Sequence, residues 1–574
     1  MAKKIEDYTK EELLDHIKDL KKRKKFGLVW EDKPEQVATD CEINLPVLQE
    51  VSGRAITVNK GSFAHLIIEG DNYHSLSTLN YTHADAIDVI YIDPPYNTGN
   101  KDFIYNDRYI DREDAFRHSK WLSFMSKRLL LAKPLLKDSG VIFISIGEDE
   151  YAELKMLCDQ VFGEENYVTN FLWEKTQHFG RQKVNFYSDG DFILCYAKNL
   201  VTSSGLREVL VEYTKSEFED APLYNASNPE AVLVFPAKSV KFNIADGKYS
   251  KTTDSKYALL DTVVVKNGIN QNDLKLRFRS RWSAGKVLSE AIAGTTYWVK
   301  SGKFAIRAIY ADGKVSNESP KQILFSNKNN EFVSKSRFGL KVGTNEEASS
   351  ELRELVGDQN IFNYPKPVSL ISYLLSLYYR EDDHPKDITI LDFFAGSGTT
   401  GQSVMQLNQL DTGKRQFILC TNNENGIAEN VAYKRIKAVT KKTHQNVRYF
   451  KTDFVSKQKT NDQTRLAMVN RCTDMIRIRE NTFVEVINKA TFKLFKDDDH
   501  YTAIIFDPLK IPEFIKQIEG VDSRKPVHLY IFSYSAYAHD QDIPETKLDY
   551  TTCPIPESIL EVYQRIFRLE QINV

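Results

Sequence analysis

Residues 86–97 read Ala-Ile-Asp-Val-Ile-Tyr-Ile-Asp-Pro-Pro-Tyr-Asn. The nearly continuous apolar run from Ile87 to Ile92 is typical of a strand buried on both faces of a parallel sheet. Two prolines end the run, because proline has no N–H to donate to a sheet ladder. A shorter apolar run at 65–69 and a helix-like segment at 72–80 precede it. This succession predicts a β-α-β unit and an α/β fold with a parallel sheet.

The turn after this strand, residues 93–96, places a carboxylate beside a proline carbonyl. Such a turn stands at the carboxyl edge of the sheet, where open α/β sheets bind their ligands. Two adjacent acceptors match an amino group with two N–H donors, and Tyr96 adds a flat aromatic face. The pattern favours a clamp for a planar ring that carries an exocyclic amino group. A plain turn is the alternative, since Asp and Pro are common turn residues.

A second strand and turn occupy residues 388–401, Ile-Thr-Ile-Leu-Asp-Phe-Phe-Ala-Gly-Ser-Gly-Thr-Thr-Gly. Its glycines form G-x-G-x-x-G before a helix-like segment, where a backbone without side chains can approach a ligand closely. Glu424 follows the next predicted strand, at a spacing suited to binding ribose hydroxyls. Taken alone, this motif fits a nicotinamide or flavin nucleotide, S-adenosylmethionine, or a tight turn without a ligand.

The composition limits the class of protein. The chain has 574 residues, of which 41% are apolar and 27% charged, which excludes collagen-like, disordered and disulfide-scaffold proteins. This length suggests about three or four domains. The sequence shows no apolar run of membrane-spanning length and no signal-peptide core, so we expect a cytoplasmic protein. The six cysteines show no Cys-x-x-Cys or Cys/His ligand spacing, so we expect free thiols and no metal site.

Residues 171–345 differ from the rest in charge and pattern. They contain 26 Lys and Arg against 17 Asp and Glu, a net charge of +9, whereas the remaining residues have a net charge of −11. Short β-like pieces alternate with Asn, Gly, Ser and Lys, which predicts a β-rich inserted domain. The basic surplus indicates either a polyanion-binding surface or ordinary solvated faces. Arg277, Arg279 and Arg281 alternate along a possible strand, where they could contact phosphates or base edges or form a solvated basic face.

Together the two motifs resemble those of amino-group-specific DNA methyltransferases, Asp/Asn/Ser-Pro-Pro-Tyr/Phe for catalysis and Phe-x-Gly-x-Gly for the cofactor. The catalytic motif comes about 300 residues before the cofactor motif, with the β-rich segment between them, which is the β-class order. The stretches KFGLVWEDKPE, DPPYNTGN, GTNEE, LDFFAGSGTT and FILCTNNEN also resemble the modification (Mod) subunit of type III restriction–modification systems. One departure is Gly401, where the family more often has Ala.

The resemblance implies an α/β, Rossmann-like class I S-adenosylmethionine-dependent methyltransferase fold with an inserted β-rich target-recognition domain and a C-terminal mixed α/β domain. The implied divisions are an N-terminal helical segment (1–50), the first half of the methyltransferase domain (51–170), the target-recognition domain (171–345), the second half (346–455) and the C-terminal domain (456–574). Within the first segment, residues 9–25 predict an amphipathic helix that begins with a Thr9–Glu12 capping box.

The resemblance also implies roles for particular residues. The residues implied to hold the target base are Asp93, Pro94, Pro95 and Tyr96. Those implied to bind the cofactor are Asp71, Lys366, Phe394, Gly396, Ser397, Gly398, Thr399 and Glu424. Those expected to contact DNA are Arg277, Arg279 and Arg281. We prefer Asp71 over Asp453 for the adenine of the cofactor, because its strand is expected to lie beside the catalytic strand; a helix N-cap is the alternative role of Asp71.

The implied activity is methyl transfer from S-adenosylmethionine to the N6 amino group of adenine in duplex DNA, after the base has flipped out. The implied partners are double-stranded DNA, a second copy of the chain and a restriction (Res) helicase–nuclease subunit, since this sequence has no Walker A motif of its own. Three alternatives stay open: cytosine-N4 methylation, a nucleotide-dependent oxidoreductase, and a DNA-binding specificity factor without turnover. Asp rather than Ser at position 93 favours adenine.

Overall fold

The fold is taken from a computed structural model of the chain. The residues it describes are 9, 28–58, 63–106, 108–176, 188–203, 206, 208–209, 221–253, 256–309, 317–318, 320–326, 334, 339, 341–357, 362, 364–378, 386–518 and 525–572. The helix predicted over 9–25 lies outside these residues, apart from Thr9. Within the described ranges, no helix combines the length and the apolar character needed to cross a membrane.

The elements before the insert alternate in α/β fashion. The strands are β1 (Asn44–Glu50), β2 (Ala64–Glu69), β3 (Ile87–Ile92), β4 (Asn100–Tyr105), β5 (Arg108–Asp111), β6 (Leu136–Ile146), β7 (Tyr167–Glu174) and β8 (Gly190–Ala197). The helices are α1 (Gln36–Asp40), α2 (Asn72–Thr82), α3 (Arg117–Ala132) and α4 (Tyr151–Phe162). The strand β1 lies in the segment that was expected to be helical.

Short strands dominate the middle of the chain. They are β9 (Glu208–Val209), β10 (Ala221–Pro222), β11 (Glu230–Phe235), β12 (Val240–Phe242), β13 (Gly247–Tyr249), β14 (Ala258–Leu259), β15 (Val263–Lys266), β16 (Ile269–Asn270), β17 (Leu274–Arg279), β18 (Thr296–Val299), β19 (Ile306–Ile309) and β20 (Asn317–Glu318). One helix, α5 (Ala284–Ile292), lies among the described residues of this part and begins at Ser283, whose hydroxyl accepts from the Lys286 N–H.

The second half returns to α/β succession. Its strands are β21 (Ile323–Leu324), β22 (Thr389–Asp392), β23 (Gln416–Thr421), β24 (Asn446–Ser456), β25 (Val484–Asn488), β26 (Phe492–Lys496), β27 (Tyr501–Ile505), β28 (Val527–Phe532) and β29 (Tyr550–Ile555). Its helices are α6 (Asn345–Val356), α7 (Val368–Leu377), α8 (Thr399–Asp411), α9 (Tyr433–Thr443), α10 (Asn461–Val469), α11 (Thr473–Arg479), α12 (Ile511–Ile518) and α13 (Glu557–Ile572).

The main sheet has the order β1-β24-β2-β23-β22-β3-β6-β8-β7-β21. The strands from β24 to β6 run parallel to one another, and β8 is antiparallel to both of its neighbours. Ile90 and Ile92 of β3 enter one hydrophobic core, whereas Val89 and Tyr91 enter the other. Helices α2, α3 and α4 cover the first core, and α7, α8 and α9 cover the second, which gives a three-layer, Rossmann-like α/β architecture as expected.

Strand order brings the two motif strands together. The strands β22 and β3 are direct neighbours, with Leu391 opposite Ile90, although the segment from 208 to 319 separates them along the chain. The expected neighbourhood of β2 and the catalytic strand β3 is wrong, because β23 and β22 lie between them. A parallel strand added after a crossover need not pair with the strand before it, so sequence proximity did not set this order.

The insert forms a compact unit of its own over Glu208–Ser319. Its larger sheet has the order β10-β19-β18-β12-β16-β15-β13, and a smaller one has the order β11-β17-β14. This unit is narrower than the expected 171–345, because β7, β8 and β21 pair within the main sheet. The unit has a net charge of only +3, so most of the basic surplus lies in its flanks.

The C-terminal region belongs to the same compact unit as the main sheet. Its sheet has the order β25-β26-β27-β28-β29. One face contributes Phe495, Ile504 and Tyr530 to the core that α2 and α3 also fill, and the other face packs on α12. The expected division at 456 therefore marks a change of sheet within one continuous hydrophobic core.

Candidate active site

A cavity of about 680 Å³ opens at the carboxyl edge of the main sheet, where β2, β3, β22 and β23 end. Such an edge is the usual ligand site of open α/β sheets. Ten of the residues predicted from sequence line it: Asp71, Asp93, Pro94, Pro95, Lys366, Phe394, Gly396, Ser397, Thr399 and Glu424. Tyr96 and Gly398 are not among the lining residues. The two motifs thus share one cavity.

The catalytic turn is fixed by its surroundings. The carbonyl of Pro95 accepts a hydrogen bond from Trp121 Nε1 at 2.8 Å, and Trp121 is fully buried. This contact occupies the Pro95 carbonyl, and Asp93, Pro94 and Pro95 all line the cavity. Asp93 and Pro94 therefore lie where a ligand in the cavity would contact them.

Lys366 forms an ion pair with Asp93. Its Nζ lies 2.6 Å from Oδ1 and 2.7 Å from Oδ2 of Asp93, and its side chain is only 9% exposed. Burial raises the pKa of the Asp93 carboxyl and the Lys366 ammonium lowers it, with the net pKa above the usual range. Lys366 thus lines the cavity, as expected, and also pairs with Asp93; its cofactor role stays a prediction.

Tyr96 is held at the other side of this turn. Its hydroxyl donates to Asp191 Oδ2 at 3.2 Å, and Lys366 Nζ lies 5.1 Å from its ring centre. A Cβ at Gly147 would approach the Tyr96 ring to 2.8 Å, so a glycine is needed beside it. The ring position is therefore set by Asp191 and Gly147 before any base arrives.

The glycine turn leaves β22 and starts α8. Gly396 has φ +49° and Gly398 has φ +79°, conformations that side chains disfavour. Asp392 closes the turn, since its Oδ1 accepts from the Phe394 N–H at 3.0 Å and its Oδ2 accepts from the Thr400 hydroxyl at 2.6 Å. Burial raises the pKa of Asp392 to about 7. The turn presents its backbone to the cavity without side chains in the way.

Gly401, the third glycine of the motif, does not line the cavity. A Cβ at this position would lie 2.6 Å from Ile436 Cδ1 and 2.9 Å from Leu419 Cδ1. This glycine therefore serves close packing of α8 against β23 and α9. An alanine at position 401 would require these two neighbours to shift.

A buried arginine that the sequence reasoning missed braces the glycine turn. Arg435 is 0% exposed, and its Nη1 donates to Ser397 Oγ at 3.1 Å and to Thr399 Oγ1 at 2.8 Å. Its Nε donates to Gln402 Oε1 at 2.6 Å. Burial lowers the pKa of Arg435 to about 10. Ser397 and Thr399 are thus oriented from behind by one guanidinium.

A second missed arginine organises the other end of the cavity. Arg128 is 0% exposed and forms a paired contact with Glu35, at 2.9 and 2.7 Å. Its Nη2 also lies 3.5 Å from Asp71 Oδ1. Asp71 itself caps α2 by accepting from the Tyr73 N–H at 2.7 Å and also lines the cavity, so the cap is confirmed and the cofactor role stays a prediction.

The acids at the ends of the neighbouring strands differ in placement. Glu424 follows β23, is exposed and lines the cavity, as does Asp71 after β2. Asp453 lies within β24, forms an ion pair with Arg471 and is not among the lining residues. Of the two candidates for the adenine of the cofactor, Asp71 is thus the one at the cavity.

A third missed group lies behind the catalytic turn. Glu150 is 0% exposed; its Oε1 accepts from Asn97 Nδ2 at 2.5 Å and lies 2.7 Å from His118 Nδ1. Burial raises the pKa of Glu150 to about 8. Because Asn97 directly follows the catalytic turn, this pair anchors the loop that leaves the cavity.

The three arginines of the insert are distant from these residues in sequence and belong to the other compact unit. Arg277 and Arg279 are exposed on the same face of β17, and Arg281 is exposed just after it. Arg277 Nε lies 3.5 Å from Glu230 Oε2, and Arg279 Nη1 donates to the Ala226 carbonyl at 2.9 Å. The predicted alternation is therefore present, and the DNA role stays a prediction.

The chain is similar in sequence to several known DNA-modification proteins. The chain is 30% identical over 451 residues to the type III restriction-modification enzyme StyLTI Mod subunit of Salmonella typhimurium, covering 74% of this chain and 63% of that one. It is 31% identical to the EcoPI Mod subunit of Escherichia phage P1, covering 68% and 62%. It is 31% identical to the type II methyltransferase M.KpnI of Klebsiella pneumoniae, covering 64% and 82%. The chain spans less than two thirds of the length of these two Mod subunits.

A family model described as DNA methylase, of the N6/N4 type, matches residues 87–432. This match begins at the catalytic strand β3 and continues past the cofactor turn and Glu424. It covers more than half of the chain and includes both turns that meet at the cavity. The chain therefore belongs to the N6/N4 DNA methylase family.

Proposed function

We propose that this chain transfers the methyl group of S-adenosylmethionine to the N6 amino group of adenine in duplex DNA. The observation that carries the proposal is the meeting of two turns, Asp93-Pro94 after β3 and Gly396–Gly398 after β22, at one cavity. One turn offers the paired acceptors of an amino-group clamp, and the other offers the side-chain-free backbone of a cofactor cradle.

The residues at the cavity fit S-adenosylmethionine. The turn at Gly396 and Gly398 adopts positive φ, and a Cβ on Gly396 would come within 3.2 Å of Phe362 Cζ. Glu424 and Asp71 provide acceptors at the ends of β23 and β2, where ribose and base amino groups can be held. The same turn would accommodate a nicotinamide nucleotide, but that use leaves the Asp93 clamp without a role.

When bound, S-adenosylmethionine supplies a methyl group already activated by its sulfonium. The chain's own task is then to position and polarise the acceptor nitrogen. Asp93 and the Pro94 carbonyl accept the two amino N–H groups, which favours a lone pair localised on nitrogen. Asp93 also stabilises the positive charge that develops there and can take up the released proton at Oδ1 or Oδ2. A paired base cannot reach this turn, so the adenine must flip out of the duplex.

Lys366 prepares Asp93 for this task. Its ammonium lowers the pKa of a carboxyl that burial raises, so Asp93 stays ionised more readily while no base is present. Each carboxylate oxygen has more than one acceptor site. An incoming amino group can therefore take one oxygen while Lys366 retains the other.

We further propose that the insert at residues 208–319 reads the DNA sequence and that the chain acts as the modification subunit of a type III restriction–modification system. The Mod subunits among its relatives support the second part, and the exposed Arg277 and Arg279 support the first. In this proposal the chain forms a homodimer and works beside a Res subunit.

The test is transfer of labelled methyl from S-adenosylmethionine to plasmid DNA, followed by nucleoside mass spectrometry. N6-methyladenine is the expected product. N4-methylcytosine would retain the clamp and overturn the base assignment. Light scattering of the chain alone and with a Res protein from the same genome tests the assembly. A monomer that binds no Res protein would overturn the subunit proposal and leave the methyl transfer standing.

A further inference from the structure

A cluster of metal-ligand side chains lies in the C-terminal region, away from the cavity. Glu480 follows α11, His500 precedes β27, and His528 lies in β28. Glu480 Oε2 lies 3.2 Å from His500 Nε2 and 2.6 Å from His528 Nδ1. One donor atom from each residue lies within 4.8 Å of the other two. Three donors that converge in this way can surround a single ion.

The spacing of these donors is close to that of a tetrahedral zinc site. With metal–ligand distances near 2.0–2.1 Å, two ligand atoms of a tetrahedron lie about 3.3 Å apart. The Glu480–His500 separation already has this value, and the Glu480–His528 separation would widen by less than about 1 Å. Small rotations of the side chains suffice, because β27 and β28 are adjacent parallel strands with Thr502 opposite His528.

Hydrogen bonds from neighbouring residues orient His500 and Glu480, as they do for the ligands of known metal sites. His500 Nδ1 lies 3.2 Å from Asp497 Oδ1, so its Nε2 is directed towards Glu480. Tyr530 donates to the other oxygen of Glu480. A carboxylate on the second ring nitrogen of a histidine is the usual outer contact of metal-bound imidazole. Glu480 and His500 have side chains 12% and 15% exposed, whereas that of His528 is 34% exposed, which leaves one open side.

We propose that Glu480, His500 and His528 bind one divalent transition-metal ion, with Zn²⁺ as the ion of best fit. Two imidazoles and one carboxylate suit Zn²⁺ and its neighbours in the first row, whereas Mg²⁺ and Ca²⁺ require a shell of oxygens. Binding places the metal on His500 Nε2 and His528 Nδ1 and releases the protons that these nitrogens share with Glu480. A solvent molecule on the side of His528 completes the fourth position.

The site would join two parts of the compact unit. On α11, Asp474 Oδ2 accepts from the Glu50 N–H at 2.8 Å and Arg477 Nη1 donates to Glu50 Oε2 at 2.9 Å, which ties the helix to β1 of the main sheet. His500 and His528 belong to the C-terminal sheet. The ion therefore connects the end of α11 to that sheet and acts as a structural site.

The first test uses the full-length wild-type chain, stripped with EDTA and then titrated with Co²⁺. Visible d–d absorption that saturates at one equivalent, persists in millimolar Mg²⁺ and disappears on addition of Zn²⁺ is the expected result. Absence of a saturable one-to-one signal would overturn the proposal and leave the cluster as a hydrogen-bonded ion-pair network.

Substitution of the proposed ligands tests which side chains bind the ion. His500→Gln and His528→Asn should each lower Zn²⁺ content, measured by atomic emission after gel filtration, at least about tenfold. The matched control is His539→Asn, because His539 pairs with the nearby Asp542 and has φ +62°, which Asn tolerates. Equal Zn²⁺ loss in the control would contradict the assignment. Zn²⁺ should raise the Tm of the wild type and not that of Glu480→Gln, so a variant that folds poorly does not leave the question open.

Discussion

The cavity edge of the main sheet and the insert at residues 208–319 place charged side chains in opposite environments. Around the cavity and the catalytic turn, Arg128, Arg435 and Glu150 are all 0% exposed. Among the described residues of the insert, Glu290 at 8% is the most buried charged side chain. The insert core instead consists of residues such as Phe235, Leu276 and Tyr297.

The difference shows that the cavity region uses buried, hydrogen-bonded groups to fix the positions of its side chains, at a cost in folding stability. A buried ionisable group, charged or neutral, costs several kcal/mol unless its polar atoms are hydrogen-bonded, so its partners are held in fixed positions. Arg435 fixes the glycine turn and Glu150 fixes the loop after the catalytic turn. Arg277 and Arg279 keep exposed guanidinium groups that can adapt to an external partner. The comparison separates a preorganised site from an adaptable surface.

The largest expected effect is on the catalytic carboxylate. Asp93→Asn should lower the methyl-transfer rate by about 10²–10³-fold, because it removes the charge that stabilises the developing cation. Affinity for S-adenosylmethionine should change by less than about threefold, measured by calorimetry. Asp138→Asn is the control, since Asp138 has a side chain 74% exposed at the opposite end of β6. Joint loss of transfer and cofactor binding would show a structural role for Asp93.

The same substitution in both regions tests the comparison directly. Arg435→Met should destabilise the fold by about 3 kcal/mol in denaturant titrations, because it leaves Ser397, Thr399 and Gln402 without their buried partner. Arg279→Met should change the free energy of unfolding by less than about 0.5 kcal/mol, as is usual for exposed positions. Equal losses of unfolding free energy in the two variants would contradict the distinction between the two regions.

Glu150 predicts a pH dependence of stability. Burial raises its pKa to about 8, so the folded chain retains a proton that the unfolded chain releases near 4.5. The contribution of Glu150 to the free energy of unfolding is largest below pH 4.5 and declines as the pH rises towards 8. The expected decline between pH 6 and 8 is about 2 kcal/mol. Glu150→Gln should flatten that decline in thermal or urea unfolding. An unchanged pH profile would show that Glu150 is ionised in the folded chain.

Lys366→Met should move the acidic limb of the transfer rate to higher pH. Asp93 must be ionised to accept the amino group, and loss of the Lys366 charge raises its pKa further. The kcat profile from pH 5.5 to 9 measures this. A uniform loss of rate with no displacement of the limb would mean that Lys366 does not control the ionisation of Asp93.

The smallest expected effect lies in the insert. Arg279→Ala should weaken DNA binding severalfold and reduce the slope of log affinity against log salt by about one, if Arg279 neutralises one phosphate. Its matched control is Lys300→Ala, another basic residue at the surface of the same unit. Unchanged affinity and slope for Arg279→Ala would remove this residue from the proposed DNA surface.

The sequence predicted the elements that have strong local signals. Proline after the apolar run located the end of β3, and the glycines located the turn between β22 and α8. It did not predict the order of β2 and β3 or the true extent of the insert, because strand pairing depends on distant partners. The strands β7 and β8 have apolar positions that suit either a separate domain or an edge of the main sheet.

The buried arginines Arg128 and Arg435 had a weaker signal in the local sequence. Arg128 stands on the apolar stripe of α3 with Trp121 and Met125, and Arg435 stands on that of α9 beside Ile436 and Val439. A charged residue at a core position of an amphipathic helix indicates a buried partner, but not which one. Glu35 and Arg128 are 93 residues apart, and such pairs follow only from the tertiary fold. The Lys366–Asp93 pair, 273 residues apart, is of the same kind.

The placement of the insert connections has an evolutionary consequence. The chain leaves the main sheet after β8 and returns at β21, which is the outermost strand beside β7, several strands away from β22 and β3. Insertions of whole domains are tolerated where few packed elements of the host are interrupted. Recombination between related genes could therefore exchange the segment from 208 to 319 and leave the pairing of β3 with β22 unchanged.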